Sequence, residues 1–250
     1  MLYIKKGIPP REMSEKVIEI TKTNEWKTAK EDNTDLLRSY FDLLDKQLIR
    51  ESLVDEQHGL CAYCMKRIEP NDKMNIEHYR PVNGHKEKAL DYNNMLGCCK
   101  GGSDKGMYEN RVLCCDAAKK NQEITINPRE KAMMDKIRYR KDGRIYIYPE
   151  DPVLQKDIDQ VLGLNGKLNK DGSLKQDTST HIVLGRREAY RRYEFFMREL
   201  NKKYSGNESK IQSCVLKKIS EIENMKNYPE YAGVLLFFLR RRAHRITVHT

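Results

Sequence analysis

Between Asp35 and Leu60 the apolar residues Leu36, Leu37, Tyr40, Phe41, Leu44, Leu48, Ile49 and Leu53 recur at steps of three and four. That spacing places side chains on one face of an α-helix, so one helix is expected to lead into Cys61. The period returns from Leu184 to Tyr204, where Tyr190, Tyr193, Phe195, Phe196 and Leu200 are interleaved with Arg186, Arg187, Arg191, Arg192, Arg198, Lys202 and Lys203. It returns again from Tyr231 to Thr250, where Val234, Leu235, Phe237, Phe238 and Leu239 precede Arg240, Arg241, Arg242 and Arg245. Each of these helices is expected to bury an apolar face and present a basic one.

Between Cys61 and Asn127 the helical period fails, and glycines, asparagines and cysteines interrupt every short apolar run, as expected where a bound ion supplies part of the core. Arg144–Tyr148 alternates after the turn signal Lys141-Asp142-Gly143, which predicts a hairpin. Val161–Asn165, followed by Gly166 and Asn169-Lys-Asp-Gly172, reads as a short apolar stretch between bends. The chain is therefore expected to be α+β and mainly α-helical, without internal repeats. Its parts are an N-terminal helical segment over 1–60, a metal-stapled ββα core over 61–130, and a hairpin with C-terminal helices over 131–250.

Charge narrows the partners. The 250 residues carry 47 Lys plus Arg against 37 Asp plus Glu, a net charge of +10, which favours polyanions and nucleic acid first. No apolar run approaches the roughly 18 residues of a membrane span, and the first residues lack the apolar core of a secretion signal. No membrane association and a cytoplasmic location are expected. Of seven cysteines, six fall between Cys61 and Cys115. An odd count in a long chain without an export signal argues for metal ligation over disulfides. Cys214 stands apart as an ordinary core thiol inside an apolar helix.

Cys61-Ala-Tyr-Cys64 spaces two thiolates so that both reach one zinc ion at about 2.3 Å. The doublets Cys98-Cys99 and Cys114-Cys115 can each supply one more ligand, because consecutive side chains diverge. Between the cysteine pairs lies Ile76-Glu77-His78-Tyr79-Arg80-Pro81. Adjacent residues of a strand face opposite sides, so His78 can take a proton from water while Glu77 turns toward a divalent ion. His58, His85, His181, His244 and His249 have no comparable neighbours and read as surface or structural histidines.

In this order the residues resemble the HNH nucleases, whose ββα-metal fold carries an acidic-His-X-X-Pro strand, a loop Asn and a helix facing the metal. Cys61 and Cys64 match the first zinc pair, Glu77-His78 with Pro81 the acidic-His motif, Asn94 the loop Asn, and Cys115-Asp116-Ala-Ala-Lys119 the second knuckle and its helix. More narrowly the chain is similar to the HNH subunit of Septu-type and retron-associated phage-defence systems. It shares with them Cys-Ala-Tyr-Cys, Ile-Glu-His-Tyr-Arg-Pro, the Tyr-X-Asn-X-Leu of Tyr92–Leu96, the Cys-X-Gly-Gly of Cys99–Gly102, and Cys-Asp-X-X-Lys. Weaker likenesses extend to Ile126-Asn-Pro128, Val161–Asn165 and Tyr231-Ala-Gly-Val234.

The resemblance implies a metal-dependent endonuclease that hydrolyses phosphodiester bonds, the effector of an anti-phage complex with an ATPase subunit. DNA ranks ahead of RNA as substrate. It implies a structural zinc on Cys61, Cys64, Cys99 and Cys115, and a catalytic Mg²⁺ or Mn²⁺ on Glu77. His78 would be the base, with Asn94 either orienting its ring or capping the loop. Two positions depart from the pattern. Cys114 replaces a frequent His, and Lys119 stands where other HNH enzymes place His or Asn. Protonated lysine cannot ligate Mg²⁺, so Lys119 is assigned to the scissile phosphate, and Asp116 or Asn121 remains open as the second ligand. The alternative is a catalytically weak zinc-containing nucleic-acid-binding or adaptor protein. The C-terminal helices are expected to dock the partner, with some of Phe195, Phe196, Phe237 and Phe238 exposed.

Overall fold

Four helices open the chain: α1 (Arg11–Lys22), α2 (Asn24–Thr28), α3 (Thr34–Asp42) and α4 (Lys46–Glu56). The structure, a computed structural model, describes residues 1–103, 113–167 and 180–247. The expected bend at Asn169–Gly172, His249 and the Arg245 side chain lie outside what is described. The single helix expected over Asp35–Leu60 is two, because Asp45 starts a new one: its carboxylate accepts from Gln47 N at 2.8 Å and Leu48 N at 3.2 Å, which satisfies amides that a continuous helix would bond to carbonyls. Met13, Ile20, Trp26, Leu37, Ile49 and Leu53 of these helices form one core with Val82, Leu90, Tyr92 and Met95. The helical segment thus packs on the loop that follows His78.

The central unit pairs β1 (Met74–His78) antiparallel with β2 (Met95–Cys99), in register Met74↔Cys99, Ile76↔Gly97 and His78↔Met95. Gly97 leaves little room here, since a Cβ would stand 3.0 Å from the Ile68 side chain and 3.2 Å from the Gln57 amide, and these side chains would have to shift. That buried amide bonds Gly97 in both directions: Gly97 N donates to Gln57 Oε1 at 2.7 Å, and Gln57 Nε2 donates to Gly97 O at 2.8 Å. The end of α4 is thereby fixed to the middle of β2. The helix α5 (Cys115–Lys119) completes a ββα arrangement.

The expected hairpin forms from β3 (Ile137–Tyr139) and β4 (Ile145–Ile147), preceded by α6 (Lys131–Met134). At its turn Gly143 has φ of +92° and lies so near Val183 that a Cβ would be 2.2 Å from Val183 O. α7 (Pro152–Lys156) continues as a π turn over Asp157–Val161. The buried Asp157 carboxylate there accepts from Thr125 N at 2.7 Å and Ile126 N at 2.9 Å. Three long helices follow: α8 (Thr180–Lys203), α9 (Glu208–Glu223) and α10 (Ala232–Thr247). They share one core with the hairpin and the cysteine knuckle. The fold is α+β, about half helical, with two small antiparallel sheets.

One reading of the C-terminal helices changes and one is narrowed. Arg186, expected on a basic face, is wholly buried, its Nε donating to Gly143 O at 2.5 Å and its Nη2 to Leu164 O at 2.5 Å. The hairpin and the 162–165 bend cover that part of α8. Of the four phenylalanines only Phe195 is exposed, at 59%, while Phe238 is buried and Phe196 and Phe237 are half-buried against the core. Phe238 packs 4.6 Å from the Tyr190 ring, which accounts for its burial.

Candidate metal centre and active site

Four sulfurs converge beneath the ββα unit. Cys61, Cys64, Cys99 and Cys115 bring their Sγ atoms within 4.8 Å of one another, with Cys61–Cys115 at 3.9 Å, Cys64–Cys99 at 3.7 Å and Cys99–Cys115 at 3.8 Å. A tetrahedron of sulfurs about 2.3 Å from a central zinc has edges of about 3.8 Å, so the spacing fits one ion and excludes disulfides, whose bond is about 2 Å. The cysteine knuckle is preformed: Cys61 N donates to Lys66 O at 2.8 Å and Lys66 N to Cys64 Sγ at 3.5 Å. Strand alternation turns Cys98 away from its neighbour Cys99, and Cys114 precedes α5 without joining the quartet.

A separate cleft of about 550 Å³ lies above, bordered by Phe41, Glu77, His78, Asp116, Lys120 and Asn121 among others. His78 ends β1, and its Nε2 lies 3.0 Å from Ala89 O. A carbonyl only accepts, so Nε2 carries the proton and Nδ1 keeps its lone pair. The Phe41 ring stands edge-on to the imidazole, centroids 4.7 Å apart. Loss of solvent around the ring lowers its pKa from 6.5 to about 4, against the opposing pull of the Ala89 carbonyl, so it is neutral near pH 7.

Asn94 makes no hydrogen bond to that ring. Its Oδ1 accepts from Arg80 N at 2.8 Å, and its Nδ2 donates to Arg80 O at 2.9 Å and Lys88 O at 3.1 Å. It caps the loop whose next residue, Ala89, holds His78. Of the two roles expected of Asn94, the geometry matches the loop cap and not a hydrogen bond to the His78 ring.

Glu77 and Asp116 both border the cleft. Desolvation first, then the neighbouring Asp116 acid, hold the Glu77 carboxyl well above its ordinary range, with Lys119 opposing them. Glu77 Oε1 accepts from Tyr63 Oη at 3.1 Å and faces Lys119 Nζ at 2.7 Å. Asp116 Oδ2 accepts from Asn75 Nδ2 at 2.7 Å. Among the described residues no amide, ammonium or hydroxyl is placed on Glu77 Oε2 or Asp116 Oδ1. Two adjacent carboxylates, each steadied through one oxygen, are a donor set suited to a hard divalent cation.

The phosphate role expected of Lys119 is not what its position allows. The residue is 0% exposed, paired to Glu77, and donates to His78 O at 3.1 Å. Cys115 and Lys119 are four apart on α5 and share its inward face, so anchoring Cys115 at the sulfur cluster turns Lys119 under β1. Asp116, one position along, borders the cleft, as does the exposed Asn121.

Sequence reasoning missed Tyr63, Asn75, Arg38 and Lys120. Asn75 was findable, lying two residues before Glu77 on the same strand face. Arg38 and Lys120 are exposed cations on the cleft wall, brought there by tertiary packing. Among the other histidines, His85 pairs with Glu123 at 2.9 Å and His58 stacks on Tyr228 at 4.0 Å. Among the described residues no helix is long and apolar enough to cross a membrane. No protein-family model and no curated protein matches the chain.

Proposed function

We propose that the chain is a metal-dependent HNH endonuclease that hydrolyses phosphodiester bonds of nucleic acid. The observation that carries this reading is one cleft bordered by His78, whose Nε2 faces Ala89 O and so leaves Nδ1 unprotonated, and by the carboxyls of Glu77 and Asp116. His78 Nδ1 takes a proton from water, whose oxygen attacks phosphorus as the bond to the leaving sugar oxygen breaks. A Mg²⁺ or Mn²⁺ ion on Glu77 and Asp116 would supply Lewis acidity to the phosphate and the leaving oxygen. Ala89 O holds the imidazole tautomer, and Arg38 and Lys120 attract the phosphate backbone from the cleft wall. The cysteine quartet would hold a zinc ion that ties α5 to β2 and leaves the chemistry to the His78 cleft.

The resemblance to Septu-type subunits supports an anti-phage role, with DNA as the preferred substrate and an ATPase subunit gating the enzyme in the cytoplasm. Exposed Phe195 with Arg191 and Arg192 on α8 suits docking of that partner. Charge reversal at both arginines is expected to lose the partner in a pull-down while cleavage persists. Loss of substrate binding with the partner retained would refute the docking role.

The buried Lys119–Glu77 pair favours a second reading, a zinc-stapled nucleic-acid-binding adaptor whose acid site is already neutralised by lysine. Incubating plasmid DNA and RNA with purified protein in Mg²⁺ or Mn²⁺ separates the two. Cleavage that disappears in Asp116→Asn supports the nuclease, and binding without cleavage in either ion supports the adaptor.

A further inference from the structure

A second groove, larger than the His78 cleft, lies elsewhere among the described residues. A space of about 1060 Å³ lies between the β3–β4 hairpin, α10 and the first residues of the chain, and it shares no bordering residue with that cleft. Its charge is unbalanced. Three carboxylates border it, and each is already engaged: Glu56 by Lys6, Asp135 by Lys131 at 2.7 Å, and Glu223 by Arg240 at 2.5 Å. Arg138 and Arg241 also border it, and among the described residues neither has a carboxylate partner. Arg138 Nη1 donates only to carbonyls, Asp135 O at 2.5 Å and Ile137 O at 3.0 Å.

The groove also presents rings that folding has left uncovered. Tyr148 is 60% exposed and Tyr3 45% exposed, although a buried tyrosine is an ordinary core residue in this chain. The Arg138 guanidinium lies 5.9 Å from the Tyr148 centroid and 6.0 Å from that of Phe237, so cation and aromatic faces alternate along one wall. Open rings interleaved with unpaired guanidinium groups match the two demands of a single nucleic-acid strand, stacking for the bases and countercharge for the phosphates.

We infer that this groove holds single-stranded nucleic acid, with bases stacked on Tyr148 and Tyr3 and phosphates on Arg138 and Arg241. A duplex hides its base faces and would leave the rings unused. An acidic protein segment would satisfy the cations but gain little from the tyrosine faces. The inference adds to the proposed hydrolysis a second hold on the strand, away from the scissile bond. It is read as binding without turnover, so its failure and the failure of the nuclease proposal are separable.

The test is fluorescence anisotropy of a labelled oligothymidylate with the full chain, without added divalent metal, over a salt series. Both Tyr148→Ala and Arg241→Ala alter exposed side chains and should leave the zinc content and thermal midpoint unchanged. Each is expected to weaken single-strand binding about tenfold, to affect duplex binding less, and, for Arg241→Ala, to reduce the salt slope by about one phosphate. Wild-type affinity in both variants would overturn the inference, as would weakening by Arg38→Ala and Lys120→Ala alone. Displacement of the strand by poly-glutamate, with Tyr148→Ala binding unaltered, would instead identify an acidic protein segment as the occupant.

Discussion

Lys119 Nζ lies 2.7 Å from Glu77 Oε1, with the two side chains 0% and 5% exposed. This ion pair fastens α5 to β1 beneath the cleft. Removing one partner of a buried pair leaves an uncompensated charge and costs about 3–5 kcal/mol. Lys119→Met should therefore lose about 3 kcal/mol in urea unfolding, and adding Glu77→Gln should restore most of it. Mg²⁺ should stabilise Lys119→Met more than the wild type, because the freed carboxylate gains a cation that binds only the folded chain. Equal stability of Lys119→Met and wild type without metal would contradict the pair.

The sulfur quartet makes a selective prediction about doublets. Cys61→Ser, Cys99→Ser and Cys115→Ser should lower bound zinc well below one ion per chain and destabilise the fold, since zinc affinity here is folding free energy. Cys98→Ser and Cys114→Ser should keep the zinc, as neither sulfur belongs to the quartet. Metal analysis of the purified variants checks this, and zinc loss in Cys98→Ser with retention in Cys99→Ser would reverse the assignment.

His78 sets a pH dependence whose sign follows from its lowered pKa. In the fold it titrates near 4, against an ordinary value of 6.5. As pH falls below about 6.5 the unfolded chain takes up the proton first, so this contribution to stability is full above that value and is lost progressively toward pH 4. The loss is at most about 3 kcal/mol at 1.36 kcal/mol per unit. Zinc thiolates protonate in the same window, so the informative quantity is the difference between wild type and His78→Asn. The variant should show a shallower decline of unfolding free energy, and parallel declines would remove the effect from His78.

Among the described residues Arg186 is a buried cation without a carboxylate, and its Nη1 has no hydrogen-bond partner. Burial lowers its pKa, and negative charge at Cys64 and Cys115 works in the opposite sense. Four thiolates around one zinc ion carry a net charge of −2, which Arg186 partly offsets. Arg186→Met is expected to release zinc to a chelator about tenfold faster, with Arg186→Lys intermediate. An unchanged release rate in Arg186→Met would show that the guanidinium serves only to join α8 to the hairpin.

Residues close in sequence made the centre readable. Cys61 and Cys64 are joined by a local knuckle, and Glu77-His78 share one short strand, so their proximity was visible in the spacing. The Lys141-Asp142-Gly143 turn announced its hairpin for the same reason. The break before α4 was also readable in principle, since Asp45 is a strong N-cap that the apolar period concealed. Arg186 was not, because its burial depends on carbonyls at Gly143 and Leu164 brought in from distant segments. The helix α9 was legible only as the apolar helix around Cys214, without bounds, because its buried residues Ile211, Val215 and Ile222 are widely spaced among charges. The inward turn of Lys119 follows from anchoring Cys115 one helical turn before it, a constraint that appears only once the zinc ligand is fixed.

Single-turnover cleavage of a labelled DNA by wild type and His78→Ala, with and without Mn²⁺, tests the proposed chemistry most directly. The expected result is ion-dependent cleavage by the wild type that falls at least about 100-fold in His78→Ala, while anisotropy shows the substrate still bound. Equal cleavage rates in the two proteins, or no cleavage by the wild type on DNA or RNA in either ion, would contradict it.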